Sequence, residues 1–177
     1  MISNLYYYSY CLYSKIRGLI NYNIPSFFSP SLDEVYPNIF VGNLSSIYNT
    51  ELLDNNNIKN IVSAVAGIES PFPDKYNYLV LELIDSEYQE ILETFNESNK
   101  FIDKCIENNE KVLVHCICGV SRSSTLVTAY LISKGLGKPE EIIDKLQQKR
   151  SIINPIDNFR LQLNLFYNKL NPIVMNN

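Results

Sequence analysis

One stretch, Lys111-Val-Leu-Val-His-Cys-Ile-Cys-Gly-Val-Ser-Arg-Ser-Ser-Thr125, limits what this chain can become. Residues 111–115 are apolar and β-branched enough for a buried central strand. From Ser123 the run Ser-Ser-Thr-Leu-Val-Thr-Ala-Tyr-Leu-Ile predicts a compact helix that ends near Gly135. Between strand and helix lie Cys116 and, after five further residues, Arg122. A loop that feeds a helix N-terminus turns backbone N–H groups inward and carries the positive end of the helix dipole. Such a nest holds a phosphate-sized dianion. At its base the same field favours the Cys116 thiolate over the thiol. Arg122 adds a planar fork for two phosphate oxygens, and Gly119 lets the backbone curl tightly enough for the amides to converge.

Three other chemistries fail on residue content. His115 is the only histidine and precedes Cys116 on a strand, so the two side chains point to opposite faces. A cysteine protease needs its histidine to meet the sulfur from across a cleft; here His115 reads as a buried prop for the loop. Zinc is disfavoured because Cys116 and Cys118 are one residue apart, with no second close pair to complete a tetrahedron. No metal or other cofactor is expected, since the nest itself neutralises a phosphate. With net charge −4 and pI near 5.0, no nucleic-acid footprint is expected either.

The loop is then placed by its surroundings. Residues 35–44, Val-Tyr-Pro-Asn-Ile-Phe-Val-Gly-Asn-Leu, read as an opening strand, followed by a helix over 45–56 ended by Asn55-Asn56-Asn57. Strands follow at 58–65 and 76–83, separated by a Gly- and Pro-containing loop at 66–74. A long helix is predicted from Tyr88, with Ile91, Leu92, Phe95, Ile102 and Ile106 on one face. Pro139 suits the first turn of another helix, and Asn154-Pro155 signals a last one, with Phe159, Leu163 and Phe166 inward. Strands alternating with helices predict an α/β domain with a mostly parallel central sheet flanked by helices.

His115-Cys116-Ile117-Cys118-Gly119-Val120-Ser121-Arg122-Ser123 resembles the signature loop of cysteine-dependent protein phosphatases. Its Ser-Arg-Ser ending is most similar to the dual-specificity branch. The resemblance spans roughly residues 32–170, with weaker anchors at Ala129-Tyr130-Leu131-Ile132 and Lys149-Arg150-Ser151-Ile152-Ile153-Asn154-Pro155. It implies Cys116 as nucleophile and Arg122 with the amides of residues 117–122 as the oxyanion cradle. Ile117, Cys118, Gly119, Val120 and Ser121 would then line the substrate site. It also implies Ser123 as the hydroxyl that eases departure of the thiolate, and Asp85 as general acid and later base. Asp85 in Leu83-Ile84-Asp85-Ser86-Glu87 has a competing use as the cap of a following helix.

Two positions depart from the family pattern. Relatives commonly carry Ala where Cys118 stands, and Asn where Ile156 stands. Cys118 could capture an oxidised Cys116, but a disulfide across so short a loop would be strained. That favours a small apolar filler.

The resemblance implies phosphorylated proteins as substrates, through a phosphocysteine intermediate. The loop lacks the lysines that lipid-phosphate relatives use, and RNA-triphosphatase relatives carry a different loop. A catalytically weak phosphoprotein-binding module of the same fold is the alternative; such modules typically lose the nucleophile, which is present here. Four cysteines are too few and too oddly spaced for a disulfide framework. No apolar run is long enough to span a bilayer. An intracellular, cytoplasmic setting is expected. The lean toward Asn, Ile and Tyr fits an AT-rich genome, such as that of a large virus, in which case the setting is the host cell.

Residues 1–31 form an extension to a catalytic domain at 32–172, with a tail at 173–177. In the extension Leu5, Tyr8, Leu12, Ile16 and Leu19 fall at helical spacing. A helix packed on the domain surface is one use of this arm; a docking arm, or a homodimer contact, is the other.

Overall fold

The computed structural model describes residues 2–23 and 29–172. Pro25, Phe27 and Phe28 of the extension, and the expected tail at 173–177, lie outside the described residues. The elements run α1 (Ile2–Asn23), β1 (Leu32–Tyr36), β2 (Ile39–Gly42), a 3₁₀ turn (Leu44–Tyr48), α2 (Thr50–Asn55), β3 (Ile58–Ala64) and β4 (Asn77–Leu81). A second 3₁₀ turn (Leu92–Thr94), α3 (Phe95–Glu107), β5 (Lys111–His115), α4 (Arg122–Ser133), α5 (Pro139–Gln147) and α6 (Asp157–Leu170) follow. The sheet order is β1-β2-β5-β3-β4, parallel except for the antiparallel β1–β2 pair.

β5 lies at the centre, and Val112 to His115 are buried. That is why it reads as a continuous apolar run rather than an alternating one. His115 is level with Gly42 of β2 on one side and with Ser63 of β3 on the other. Cys116 therefore leaves the sheet at its carboxyl edge, where open α/β sheets carry their ligand sites. α4 then returns through the core, buried from Arg122 to Ile132, against α3, α5, α6, β5 and β2. It ends where the sequence predicts, with Gly135 at φ +70° and the Leu136 N–H donating to the Leu131 carbonyl at 3.1 Å.

Three expected elements differ. The single strand over 35–44 is a hairpin, because Pro37-Asn38 turns the chain and Asn38 takes φ +64°. The helix over 45–56 divides at Asn49, whose side chain accepts the Leu52 N–H at 2.9 Å and caps α2. The helix expected from Tyr88 begins at Phe95. Side chains of α6 hold the preceding segment open: Gln162 Oε1 accepts the Leu92 N–H at 2.8 Å, while Asn158 and Gln162 donate to the Gln89 carbonyl at 3.0 and 2.8 Å. With those groups satisfied from outside, the local helix has nothing to gain.

Within the extension α1 is a 22-residue helix whose apolar stripe faces outward. Leu5 (72% exposed), Tyr8 (69%) and Leu19 (66%) face outward with Leu12 and Ile16. The inner face is small and polar: Ser14, Gly18 and Asn21 are buried. No helix of the described residues is long and apolar enough to cross a membrane.

His115 is fully buried, and its Nδ1 sits 3.4 Å from the Cys116 carbonyl. Burial, reinforced by the Arg122 charge against the pull of that carbonyl, depresses its pKa from 6.5 to about 4. The unfolded chain therefore takes up this proton first as pH falls. Stability from this residue is intact above pH 6.5 and lost between 6.5 and about 4, on the order of 3 kcal/mol in all. Urea titrations across that window should show a shallower fall for His115→Asn than for the parent chain.

Candidate active site

The Cys116 side chain lies at the base of the loop and is 1% exposed. The Gly119 N–H donates to its Sγ at 3.2 Å, and Ser123 Oγ is 3.3 Å away. Backbone N–H groups of Ser123 and Val120 also favour its anion. Burial alone would raise the thiol. The Arg122 charge, the Ser123 hydroxyl and those amides outweigh it, and the pKa falls below the ordinary thiol value.

Arg122 is equally enclosed. Its Nη1 donates to the carbonyls of Ala64 at 3.2 Å, the end of β3, and Leu83 at 3.1 Å, two residues past β4. Nε has no hydrogen-bond acceptor among the described residues and lies 3.7 Å from Asp85 Oδ2. A buried donor left open beside a thiolate suits an anionic oxygen. Desolvation opposes the Arg122 charge, but the Cys116 thiolate, Tyr10 and Asp85 more than restore it, and its pKa is raised.

Asp85 joins the loop through Ser121, whose Oγ donates to Asp85 Oδ1 at 2.8 Å and accepts the Ile156 N–H at 3.3 Å. The cap role for Asp85 is corrected: a turn follows it, and the next helical turn starts at Leu92. Ile156 acts here through its backbone N–H.

The other loop residues divide. Gly119 has φ +68°, and a Cβ there would sit 2.7 Å from the Gly42 carbonyl oxygen and 2.8 Å from Arg150 Nη2. Ile117 turns its side chain into the core, and Val120 is half-buried. Cys118 is exposed, which corrects the expectation of a space-filling residue.

Two neighbours of the site were not legible in the sequence. Arg150 is buried; its Nε donates to the Gly119 carbonyl at 3.0 Å and its Nη2 to the Cys118 carbonyl at 3.3 Å. Its Nη1 reaches Ser31 Oγ at 2.8 Å and Asp33 Oδ2 at 2.5 Å. In a planar trans peptide the C=O and the next N–H point opposite ways. Holding those two carbonyls outward therefore aims the Gly119 and Val120 N–H groups at Cys116. Arg150 stood only within a weak anchor motif, without a role. Tyr10 is the second: its hydroxyl accepts a hydrogen bond from Arg122 Nη1. The tyrosine run of the extension gave no sign of which member would turn inward.

Residues 39–169 match the family model described as "Dual specificity phosphatase, catalytic domain". The chain is 33% identical over 138 residues to Dual specificity protein phosphatase 1B of Arabidopsis thaliana, covering 76% of this chain and 81% of that one. It is 34% identical over 136 residues to Tyrosine-protein phosphatase yvh1 of Schizosaccharomyces pombe, covering 77% of this chain and 41% of that longer one. Among solved structures, DUSP15 superposes with a TM-score of 0.73 at 30% identity, over 77% of this chain and 86% of that chain.

The electrostatics can be read through alkylation. The rate of iodoacetate labelling at Cys116, followed by mass spectrometry against pH, should have its midpoint below the ordinary thiol value of about 8.5. Ser123→Ala and Arg150→Ala should each move that midpoint upward. A parent midpoint in the ordinary range would contradict the charge balance described above.

Proposed function

Because the chain belongs to the dual specificity phosphatase family, we propose that it hydrolyses phosphotyrosine and phosphoserine/phosphothreonine in proteins through a phosphocysteine intermediate, without a metal ion. The observation that carries this reading is the pairing of a buried, pKa-lowered Cys116 with a buried Arg122 whose charge favours that thiolate and whose Nε has no hydrogen-bond acceptor among the described residues.

In the first step the Cys116 thiolate attacks phosphorus in line, the P–O ester bond breaks, and the Asp85 carboxyl gives its proton to the departing oxygen. Arg122 and the backbone N–H groups of residues 117–122 hold the equatorial oxygens, which replaces the charge a metal would supply. In the second step the Asp85 carboxylate takes a proton from water as that water attacks phosphorus. The S–P bond breaks, and Ser123 donates a hydrogen bond to the returning thiolate at the separation already present. Ser121 positions Asp85 for both steps, fixed in turn by the Ile156 N–H.

A free thiolate nucleophile fits a reducing compartment, and we place the protein in the cytoplasm on that ground. A homodimer through the extension would have to use the outward stripe of α1, since the inner face is occupied.

Turnover of a phosphotyrosyl peptide should be unaffected by EDTA and abolished by Cys116→Ser. Asp85→Asn should lower kcat by about 10²–10⁴-fold. Activity that requires a divalent ion, or survives Cys116→Ser, would overturn the mechanism. Peptide binding without turnover in the parent chain would favour the phosphoprotein-binding module instead.

A further inference from the structure

Tyr10 brings an aromatic hydroxyl from outside the catalytic domain onto the residue that would hold the phosphate. Arg122 Nη1 donates to its oxygen, and the guanidinium carbon is 5.4 Å from the ring centroid. Nη1 carries two hydrogens and already faces the Ala64 and Leu83 carbonyls. The phenol is thus a third acceptor at a donor that the fold has already supplied. Burial, with the nearby Cys116 thiolate adding to it, outweighs the pull of Arg122 and pushes the phenol up to about 12, so Tyr10 is neutral near pH 7.

The seat of α1 is built for close approach. A Cβ on Gly18 would lie 2.7 Å from Tyr48 Oη and 3.0 Å from Ile68 Cδ1. A Cβ on Gly67, whose φ is +78°, would lie 2.9 Å from the Cα of Cys11, the residue after Tyr10. Gly67 lets its backbone approach that of Cys11, and Gly18 leaves room for the Tyr48 and Ile68 side chains, so that α1 seats near enough to deliver one side chain to Arg122. A neutral tyrosine with its oxygen on Arg122 takes up a donor of the same guanidinium that the proposed mechanism uses for phosphate oxygens.

We propose that Tyr10 is a tethered competitor for Arg122: docked α1 holds the phenol on the guanidinium, and a phosphotyrosine peptide must displace it. This rests on the proposed function and adds to it a regulatory device. A tethered occupant of the free enzyme divides apparent affinity by the open fraction and leaves the bound complex unaltered. It therefore raises KM without lowering kcat.

The test uses the full chain as parent, Tyr10→Phe, Tyr10→Ala and Gly18→Val, the last lifting α1 from a point outside the catalytic machinery. Circular dichroism melts establish that each is folded, and Tyr10→Phe, which removes one oxygen, carries the test if the others are not. Inorganic phosphate binding is measured by calorimetry, and kcat and KM on a phosphotyrosyl peptide. Phosphate should bind about tenfold more tightly in Tyr10→Ala and Gly18→Val, and measurably more tightly in Tyr10→Phe, with KM falling in parallel and kcat unchanged. Unchanged phosphate affinity overturns the proposal. So does weaker binding with a higher KM, which would make Tyr10 part of the substrate wall. Tighter phosphate binding without turnover in any form would sustain the tethered contact and sink the phosphatase mechanism; turnover with unaltered phosphate affinity would do the reverse.

Discussion

The structure turns on a buried cation facing a buried sulfur. Arg122 is sequestered from water, and an isolated guanidinium there would be costly. Two backbone carbonyls, Ala64 at the end of β3 and Leu83 just past β4, meet one edge of it, and Cys116, Tyr10 and Asp85 favour its charge against desolvation. Each member makes the other's ionised form tolerable: the arginine lowers the thiol, and the thiolate raises the arginine. The sheet register makes this encounter possible. His115, Gly42 and Ser63 end level with one another, so the loop after β5 opens beside the ends of β2 and β3.

A second arginine shapes the nest without entering it. Arg150 pulls the Cys118 and Gly119 carbonyls away from the site and anchors itself on Ser31 and Asp33. The nest is therefore held from both sides, by a charge inside it and by a fork outside it. Ser121 couples it to Asp85, so the candidate acid shares the loop's rigidity although it belongs to a distant part of the chain.

What was legible in the sequence was local. The Lys111–Ser123 run specifies strand, loop and helix through neighbouring residues, and the Cys116, Gly119, Arg122 and Ser123 geometry follows it. Asp85 was placed by family resemblance alone, and Ser121, which holds it, was read only as an uncharged lining residue. Arg150 and Tyr10 escaped because their partners lie far away in sequence, 31 residues for Gly119 and 112 for Arg122. Periodicity located α1 and left its orientation open. The apolar stripe of Leu5, Tyr8 and Leu19 faces outward, while the close approach at Gly67, the room left by Gly18 and the Tyr10 contact bring the opposite side inward. Hydropathy carries no record of that packing.

In the proposed mechanism the phosphoryl group passes through the Cys116 sulfur. The decisive measurement is rapid acid quench of the enzyme during turnover of a phosphotyrosyl peptide, followed by peptide mapping and mass spectrometry. A phosphoryl adduct is expected on the peptide containing Cys116, assigned to that sulfur and not to Cys118. A phosphoryl group on another residue, or turnover with no covalent adduct at any quench time, would contradict that mechanism.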